Sequence, residues 1–525
     1  MDKFPTLGKS KFSAVQPNLF DRLIGVVNPK AALNRIRSRL VMSFWGSTGF
    51  ITPSKSKRSM RSWFVSGGSA DKDTIADLPA SRSGSRDLYM NTPVATAALR
   101  RMKNNVVGPG LTMQSRVNRK ILGLDDQAAD DWEHKTEFEF GIWANSKNCD
   151  LNRTLNFNQI QQHVYFNYLL SGDVLVLLPF RGIKGAPYKL RLHVIEGDRL
   201  SNPGNENDTL SYKIRGGVEV DSNGTPVAYH IRKQHPGDYT PSNEWVRVLA
   251  RGSRSGRPNV LHIFDKDRPG QRRGMPFLAP VLEQLKQLTR FSEAELMAAL
   301  VSAFFTVFVK TKSGDSLSEG FLPNNDVTTG AADEENLYQM GSGNIIELAE
   351  DEEIDIADPK RPNDSFDPFF VAIVKQVGAS LGIPFEQLMQ HFSSSYSASR
   401  AAIIEGYKTA ITKRVNFISD FNDPVYESWL TEAVITGRIK APGFLTNPLL
   451  RAAWMGSRWT GPGMGQIDPV KETKASLLKI QGRLSSYEDE SQKMGTKDWE
   501  SAMNRLSKES KLLTEQGIEP SVIVK

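Results

Sequence analysis

The 525-residue chain contains very little cysteine and no long hydrophobic run. Its single cysteine, Cys149, cannot form a disulfide within one chain, which favours assembly in a reducing compartment such as the cytosol. The longest apolar stretch, residues 296–309, is interrupted by Ser302 and Thr306 and falls short of the roughly 20 residues needed to cross a bilayer. Because the N-terminus also lacks the apolar core of a secretory signal, we expect neither a membrane protein nor a secreted one.

Recognisable catalytic and metal-binding motifs are missing as well. Gly8, Lys9 and Ser10 resemble the end of a phosphate-binding loop, but Lys3 stands where that loop requires its first glycine. The seven histidines show neither the i, i+4 pairing nor the cysteine partners typical of zinc sites. We therefore expect no ATP site, no metal and no cofactor.

Positive charge is concentrated at the start of the chain. Residues 1–65 hold twelve Lys or Arg against only Asp2 and Asp21, although the whole chain carries a net charge of only +7. Such a basic arm could contact nucleic-acid phosphates or an acidic partner, or it could be a solvated tail. Residues 66–90 continue this Ser-, Lys- and Arg-rich composition and are predicted to be a linker.

The segment from about residue 85 to residue 265 predicts a mixed α+β domain. Helical periodicity is followed by short β-branched runs separated by Gly, Pro, Asn and Asp. The predicted helices are 92–105, 125–143 and 156–170, and the predicted strands are 174–180, 188–195, 217–220, 227–232 and 260–264.

A long helix is predicted after this domain. Pro276 suits a first helical turn, and apolar residues recur every three or four positions from Leu278 to Phe308, so the helix is expected to exceed thirty residues. A compact insertion with a strand at 344–348 should follow. Next come a helix capped by Asp367, a polar loop, a helix at 397–437 kinked by Pro424, and a charged helix at 468–517.

Two charged clusters allow more than one interpretation. The acidic one could be a solvated face, a negative collar in a symmetric ring, or the metal-binding centre of a DNA-processing enzyme; it contains Glu347, Glu350, Asp351, Glu352 and Glu353. The basic one could contact phosphates or form ion pairs between subunits; it contains Arg247, Arg251, Arg254, Arg257, Lys266, Arg268, Arg272 and Arg273.

Seven segments, in order along most of the chain, make it resemble the lambda-type family of portal proteins from tailed bacteriophages. They are NTPVATAALRRMKNNVVGPGLTMQ from Asn91, FGIWANSKNCD from Phe140, SGDVLVLLPF from Ser171, GVEVDSNGTPVAYHI from Gly217, HIFDKDRPGQRRGMP from His262, LGIPFEQLMQHFSSSYSASRAAI from Leu381 and WTGPGMGQIDPVKETKA from Trp459. The family's usual Ser-Gly-Glu is Ser-Gly-Asp at 171–173, and the basic arm lies outside the resemblance.

The resemblance implies an α+β portal fold with a mixed wing, a long helical stem, a small α/β clip and a helical crown, assembled as a ring that usually has twelve subunits. The implied regions are the basic arm 1–65, linker 66–90, wing 91–275, stem helix 276–301, clip 302–362, second stem helix 363–382, tunnel loop 383–396, kinked wing helix 397–440 and crown 441–525. The implied DNA-channel residues of the tunnel loop are Gln390, His391, Ser393, Ser394 and Ser395. The acidic cluster would form a collar on the clip.

The function implied by the resemblance is structural rather than catalytic. The ring would sit at one capsid vertex of the virion, pass double-stranded DNA without sequence preference during packaging and ejection, and nucleate head assembly in the host cytoplasm. Its implied partners are the terminase large subunit, a head-tail adaptor, the major capsid protein and scaffold. The alternative is a metal-dependent DNA-processing enzyme that uses the acidic cluster near 347–355.

Overall fold

The computed structural model describes residues 30, 31, 34, 67–205, 214–303, 307–311, 352–356, 366–392, 395–465, 468–494 and 499–516. The chain divides into two units, residues 1–68 and residues 69–525, and the elements below all lie in the second. The predicted basic arm falls almost wholly outside the described residues. Within the described ranges, no helix is both long and apolar enough to span a membrane.

Helices and strands are mixed up to residue 264. In chain order they are α1 (Ala70–Ile75), α2 (Leu78–Asn91), α3 (Pro93–Val106), β1 (Thr112–Ser115), α4 (Arg119–Leu122), α5 (Asp126–Ala144), α6 (Phe157–Ser171), β2 (Asp173–Leu177), β3 (His193–Glu196), β4 (Ile214–Arg215), β5 (Val218–Val220), β6 (Pro226–Arg232), β7 (Trp245–Leu249) and β8 (Val260–Phe264). The three predicted helices are confirmed as α3, α5 and α6, and the five predicted strands as β2, β3, β5, β6 and β8, although β2 and β3 are shorter than predicted. The expected α+β character is therefore present.

The remainder is mainly helical. In chain order it comprises α7 (Leu282–Ala303), β9 (Val307–Thr311), β10 (Glu352–Ile356), α8 (Phe366–Leu381), α9 (Phe385–Met389), α10 (Tyr396–Phe417), a π-helical turn (Ile418–Asn422), α11 (Asp423–Ile435), α12 (Pro448–Trp454), β11 (Ser457–Thr460), α13 (Pro469–Gln481), α14 (Tyr487–Lys493) and α15 (Trp499–Glu515).

The linker predicted for residues 66–90 is wrong, because this segment forms α1 and most of α2. The Ser69 side chain caps α1 by accepting a hydrogen bond from the backbone N–H of Lys72, and Pro79 lies in the first turn of α2. The buried face of α2 includes Arg82 and Ser85 beside its leucines. Hydrophobic periodicity misses a helix whose inward face is partly polar.

Strand β2 is buried on both faces, which explains its continuous apolar sequence. It is the central strand of an antiparallel sheet ordered β3-β2-β8. The buried hydrophobic residues form a larger and a smaller core. Val174 and Val176 belong to the larger core, whereas Leu175 belongs to the smaller one with Val218 and Tyr229 of the antiparallel sheet β4-β5-β6-β7. Since successive strand residues face opposite sides, β2 holds both cores together.

Aromatic side chains from distant parts of the chain meet in the larger core. Phe140 of α5 makes edge contacts with Phe157 of α6, Trp429 of α11 and Trp459 of β11, with ring centroids 5.7, 5.0 and 6.0 Å away. Each such pair contributes roughly 0.5–1.5 kcal/mol beyond the burial of area. Trp459 is held there because β11 pairs with β1, opposite Met113. Residues 457–460 thus belong to this core, and the crown boundary at residue 441 stays a prediction.

The first long helix ends earlier than its apolar stripe predicts. Helix α7 has 22 residues and stops at Ala303, and residues 307–311 form β9 instead. In β9, Val307 pairs with Ile356 and Val309 with Ile354 of β10. Apolar residues two apart suit a strand as well as a helical stripe, so periodicity alone placed the boundary incorrectly.

Two later helices also differ from prediction. The helix expected at 397–437 is interrupted by the π-helical turn just before Pro424, which then lies in the first turn of α11, where its missing N–H is tolerated. The charged helix expected at 468–517 is divided into α13, α14 and α15. Its start is confirmed, because Asp468 accepts a hydrogen bond from the Lys471 N–H, but Arg483 takes a left-handed φ of 56° after α13.

A fully buried carboxylate connects several of these elements. Asp173, at the start of β2, bonds Arg82 of α2, the Arg273 Nε at 2.5 Å and the His262 Nε2 of β8 at 3.2 Å. Burial alone would raise the pKa of Asp173, but the charges of Arg273 and Arg82 hold that pKa well below its usual range. Arg273 also donates to the carbonyl oxygens of Leu200, Gly216 and Gly197, so its guanidinium joins both sheets.

Removing this charge should strongly destabilise the fold. In Asp173→Asn, two buried guanidinium groups lose their nearest carboxylate, and breaking a buried pair in this way typically costs about 3–5 kcal/mol. Urea unfolding of the purified protein measures the loss. The control is Glu244→Gln, which breaks the exposed Lys233–Glu244 pair and should leave the unfolding midpoint nearly unchanged. Equal effects in the two variants would contradict the central role of Asp173.

Candidate functional site

The predicted tunnel loop is only partly a loop. Within 383–396, residues Phe385–Met389 form helix α9, with Pro384 as its N-cap and Leu388 buried. The expected polar loop is therefore shorter, and residues 390–395 connect α9 to α10. We call these residues the tip. Ser393 and Ser394 lie outside the described residues.

The described tip residues are exposed and are fixed at both ends. Gln390 adopts a left-handed φ of 54° where α9 ends, and His391 and Phe392 follow it in solvent, with 54% of Phe392 exposed. Ser395 caps α10, because its hydroxyl accepts a hydrogen bond from the Ala398 N–H at 3.4 Å. The tip is thus a short polar segment between two ordered helices.

Close backbone packing fixes the base of the tip. Gly382 ends α8 with φ +65°, and a Cβ there would lie 2.9 Å from the Thr409 Cγ2 of α10. Gly406, also in α10, leaves so little room that a Cβ would lie 2.8 Å from Pro384 Cδ and 2.9 Å from Gln387 Oε1. These glycines allow the α8–α9 junction to lie directly against α10.

A buried arginine attaches α10 to the rest of the core. Arg414 donates from Nε to the Val106 carbonyl at 2.8 Å and from Nη2 to the Asn105 and Pro462 carbonyls at 2.7 and 2.9 Å. Carbonyl groups at a helix C-terminus lack intrahelical partners, so this guanidinium satisfies the end of α3. The position of the tip is therefore set by the core through α10.

Helices α7 and α8 pack beside each other, but the outer half of α7 is exposed. Phe291 stacks on Phe366, with ring centroids 5.5 Å apart. Beyond this contact, the described side chains of α7 include exposed apolar residues, with Leu296 62%, Met297 59% and Leu300 49% accessible. A contiguous exposed apolar surface of this kind is typical of an interaction site.

The acidic cluster is only partly described. Glu352 and Glu353 lie in β10, whose backbone pairs with β9 opposite Thr311 and Lys310. Glu347, Glu350 and Asp351, and the strand predicted at 344–348, lie outside the described residues.

Most members of the basic cluster form contacts within the chain, and the two interpretations, phosphate contacts and ion pairs between subunits, stay predictions. The intrachain contacts are Arg247 with Glu219, Arg257 with the Leu178 carbonyl, Arg268 with Asp73, Arg272 with Asp71, and Arg273 with Asp173. The Arg247 contact is bidentate at 2.8 Å, and this hydrogen bonding lowers the pKa of Glu219 to about 2. The acidic partners of these arginines lie 28 or more positions away along the chain, so local sequence patterns do not reveal the ion pairs.

One group of possible metal ligands comes together only in the fold and shows no motif in the sequence. In the described ranges, Glu196, Asp198 and His235 bring one ligand atom each within 4.8 Å of one another. Arg86 already approaches this group, with its Nη2 2.6 Å from Asp198 Oδ2. Its guanidinium compensates the carboxylate charge, so the arrangement is better described as an ion-pair cluster.

Comparison with known proteins gives a consistent result. The family model described as "Phage portal protein, lambda family" matches residues 56–414, which include the tip and both flanking helices. The portal protein of Escherichia phage N15 is 23% identical over 479 residues, covering 88% of this chain and 89% of its own. Portal protein B of Escherichia phage lambda is 22% identical over 454 residues, covering 83% and 84%. The probable portal protein of Halomonas phage phiHAP-1 is 26% identical, covering 86% and 84%.

Solved structures with some likeness come from gene transfer agent particles. The virion of the native particle contains a chain with 14% identity and a TM-score of 0.43, covering 79% of this chain and 93% of that one. The neck of the native particle, computed with C12 symmetry, contains a chain with 11% identity and a TM-score of 0.42, covering 81% and 99%.

Substituting Gly382 should loosen the base of the tip. Gly382→Ala adds the strain of a left-handed residue, about 1 kcal/mol, and a 2.9 Å clash with Thr409. Gly437→Ala is a matched control, because Gly437 also has a positive φ of +73° but nothing within 4 Å of its Cβ position. Gly382→Ala should lower the urea midpoint more and speed proteolytic cleavage at the tip. Equal losses would show that α10 does not constrain this junction.

Proposed function

The chain belongs to the lambda family of phage portal proteins, and from that premise we propose that its copies close into a ring, of twelve subunits as is usual in the family, with double-stranded DNA passing along the axis. The observation that carries the proposal is the family match over 56–414, supported by relatives aligned along most of the chain. Such a protein acts through a channel between subunits.

The exposed side of α7 supports subunit contacts. An isolated chain would leave Leu296, Met297 and Leu300 in water, and each large apolar side chain gains roughly 1.5–3 kcal/mol when it is fully buried. Repeating the same surface around a ring axis would bury it against neighbouring copies. The predicted roles of α7 and α8 as stem helices fit this arrangement.

The tip has the chemistry of a surface past which DNA can slide. Duplex DNA carries one negative charge per about 1.7 Å of axis, so a channel that neutralised many phosphates would hold it tightly. Apart from His391 and the exposed Phe392, residues 390–395 bear only hydroxyl and amide side chains. Such groups contact the sugar-phosphate backbone regardless of base sequence. We assign the tip, with Gln390, His391, Ser393, Ser394 and Ser395, to the channel wall.

We assign the acidic cluster to a negative collar on the clip, next to the docking site of the terminase large subunit and, after packaging, of the head-tail adaptor. A negative collar repels phosphates and so discourages DNA from lodging there. ATP hydrolysis would belong to the terminase, and the ring itself would have no catalytic residue. The major capsid protein and scaffold would bind the ring as the head assembles in the host cytoplasm. The finished ring would remain at one vertex of the virion.

Ring formation is the decisive test. Negative-stain images and native mass of the purified protein should show closed rings with an axial hole wide enough for duplex DNA. The double variant Leu296→Glu/Leu300→Glu should shift the protein toward smaller species, because it places charges in the proposed contact, whereas Tyr239→Glu, on a fully exposed side chain, should not. A wild-type protein that stays monomeric and cleaves DNA in the presence of a divalent metal would favour the alternative of a DNA-processing enzyme.

Bulky tip residues should obstruct the channel without breaking the ring. Ser393→Trp/Ser394→Trp should reduce the yield of DNA-filled heads several-fold while ring images stay normal. Ser222→Trp/Asn223→Trp is the control, since both residues are exposed in the turn between β5 and β6. Filled heads are counted by electron microscopy and by nuclease-protected DNA. Normal filling with the tip variant would remove the tip from the channel wall.

A further inference from the structure

A cationic groove runs along the exposed face of α3 and ends at the tip. It encloses about 560 Å³ and is lined by residues 90–93, by Thr96, Ala97, Arg100, Arg101 and Asn104 of α3, and by Gln390. Residues three, four and seven apart share one side of a helix, which is why Pro93, Arg100 and Asn104 face the same space.

The positive charge of the groove is not compensated within the described structure. Neither Arg100 nor Arg101 forms an ion pair with any described residue, and the groove lining includes no carboxylate. Most arginines of the basic cluster behave differently, since Arg247, Arg268 and Arg273 each bind an acidic partner in the same chain. Two neighbouring guanidinium groups without a counter-ion among the described residues suit an anionic ligand.

The remaining lining groups suit a phosphate. The amides of Asn104 and Gln390 can donate hydrogen bonds to phosphate or sugar oxygens. Gln390 comes from a segment almost 300 positions later in the chain. It is the C-cap of α9 and has a left-handed φ of 54°. Helix α3 and the tip therefore form the groove together.

We infer that this groove binds a phosphate of the DNA backbone. The inference rests on the proposed function, because it requires the tip to face the channel. A carboxylate on a neighbouring copy is the competing ligand. A carboxylate is a single point of negative charge, whereas the DNA backbone carries a row of phosphates that can follow a groove extending along α3. The ring and the duplex do not share a repeat, so only some copies would place their arginines on a phosphate at one time. Salt weakens these contacts, so the DNA can be held at rest and still move under a motor.

Cross-linking in filled heads tests the contact directly. A photoreactive amino acid placed at Asn104, exposed in the groove, should form adducts with the packaged DNA under ultraviolet light. The same amino acid at Asn223, exposed in the turn between β5 and β6, is the control and should give none. The adducts are detected as protein that remains bound to DNA after denaturation.

Charge variants establish whether the arginines are responsible. Arg100→Gln/Arg101→Gln should reduce the Asn104 adduct several-fold, whereas Arg100→Lys/Arg101→Lys should retain most of it. Arg254→Gln/Lys266→Gln removes two charges from exposed side chains outside the groove and should leave the adduct unchanged. With purified rings and a short duplex, the Gln double variant should also flatten the salt dependence of binding, by about 0.9 in the log–log slope per lost phosphate contact.

The possible failures are distinguishable. Filled heads in which the Asn104 probe gives no adduct, or an adduct only with another copy of the chain, would overturn the groove as a DNA site. The second result would identify it as a contact between subunits. A Gln double variant that cross-links and binds DNA like wild type would also overturn the inference. Wild-type protein that never forms rings or filled heads would overturn the proposed function itself.

Discussion

The fold depends on how the charge of Asp173 is compensated inside the protein. A single carboxylate with no solvent exposure meets guanidinium groups from α2 and from the segment that leads to α7, together with the imidazole of His262. Taking such charges out of water costs several kcal/mol per ion, and this cost is offset only when the geometry is good and the remaining donors are satisfied. Arg273 meets that condition with three backbone carbonyls. The helix before the sheet, the sheet itself and the path to the long helix are therefore fixed relative to one another at one point.

The sequence predicts best those elements whose buried face is mainly apolar. The helices α3, α5 and α6 and the strand β8 lie close to their predicted positions because burial follows their hydrophobic periodicity. The same reasoning failed where burial is polar. Arg82 looks like a surface residue of a linker, yet it lies against Asp173. Its partner is 91 positions away, and local patterns carry no information about such pairs.

For the candidate site, the sequence indicated where the tip lies but not how it is built. The resemblance pointed to residues 383–396, whereas helix α9 and the junction at Gly382 depend on contacts with α10 that no local pattern shows. The groove beside the tip is harder still to foresee. Arg100 and Arg101 in an amphipathic helix resemble an ordinary solvated face. The groove becomes visible only in the fold, where Gln390 lines the same space as these two arginines.

The attachment of α8, α9 and α10 to one another places Gln390 and Ser395 at the same position in every copy. Within the proposed ring this has a consequence for symmetry. Identical subunits repeat around the axis by a fixed rotation, while the duplex repeats along its length about every 10 base pairs, so the two do not match and each subunit meets the DNA differently. Uncharged hydroxyl and amide groups contact the sugar-phosphate backbone without requiring one register, so every copy can meet its own part of the duplex while the bodies of the subunits keep their regular arrangement.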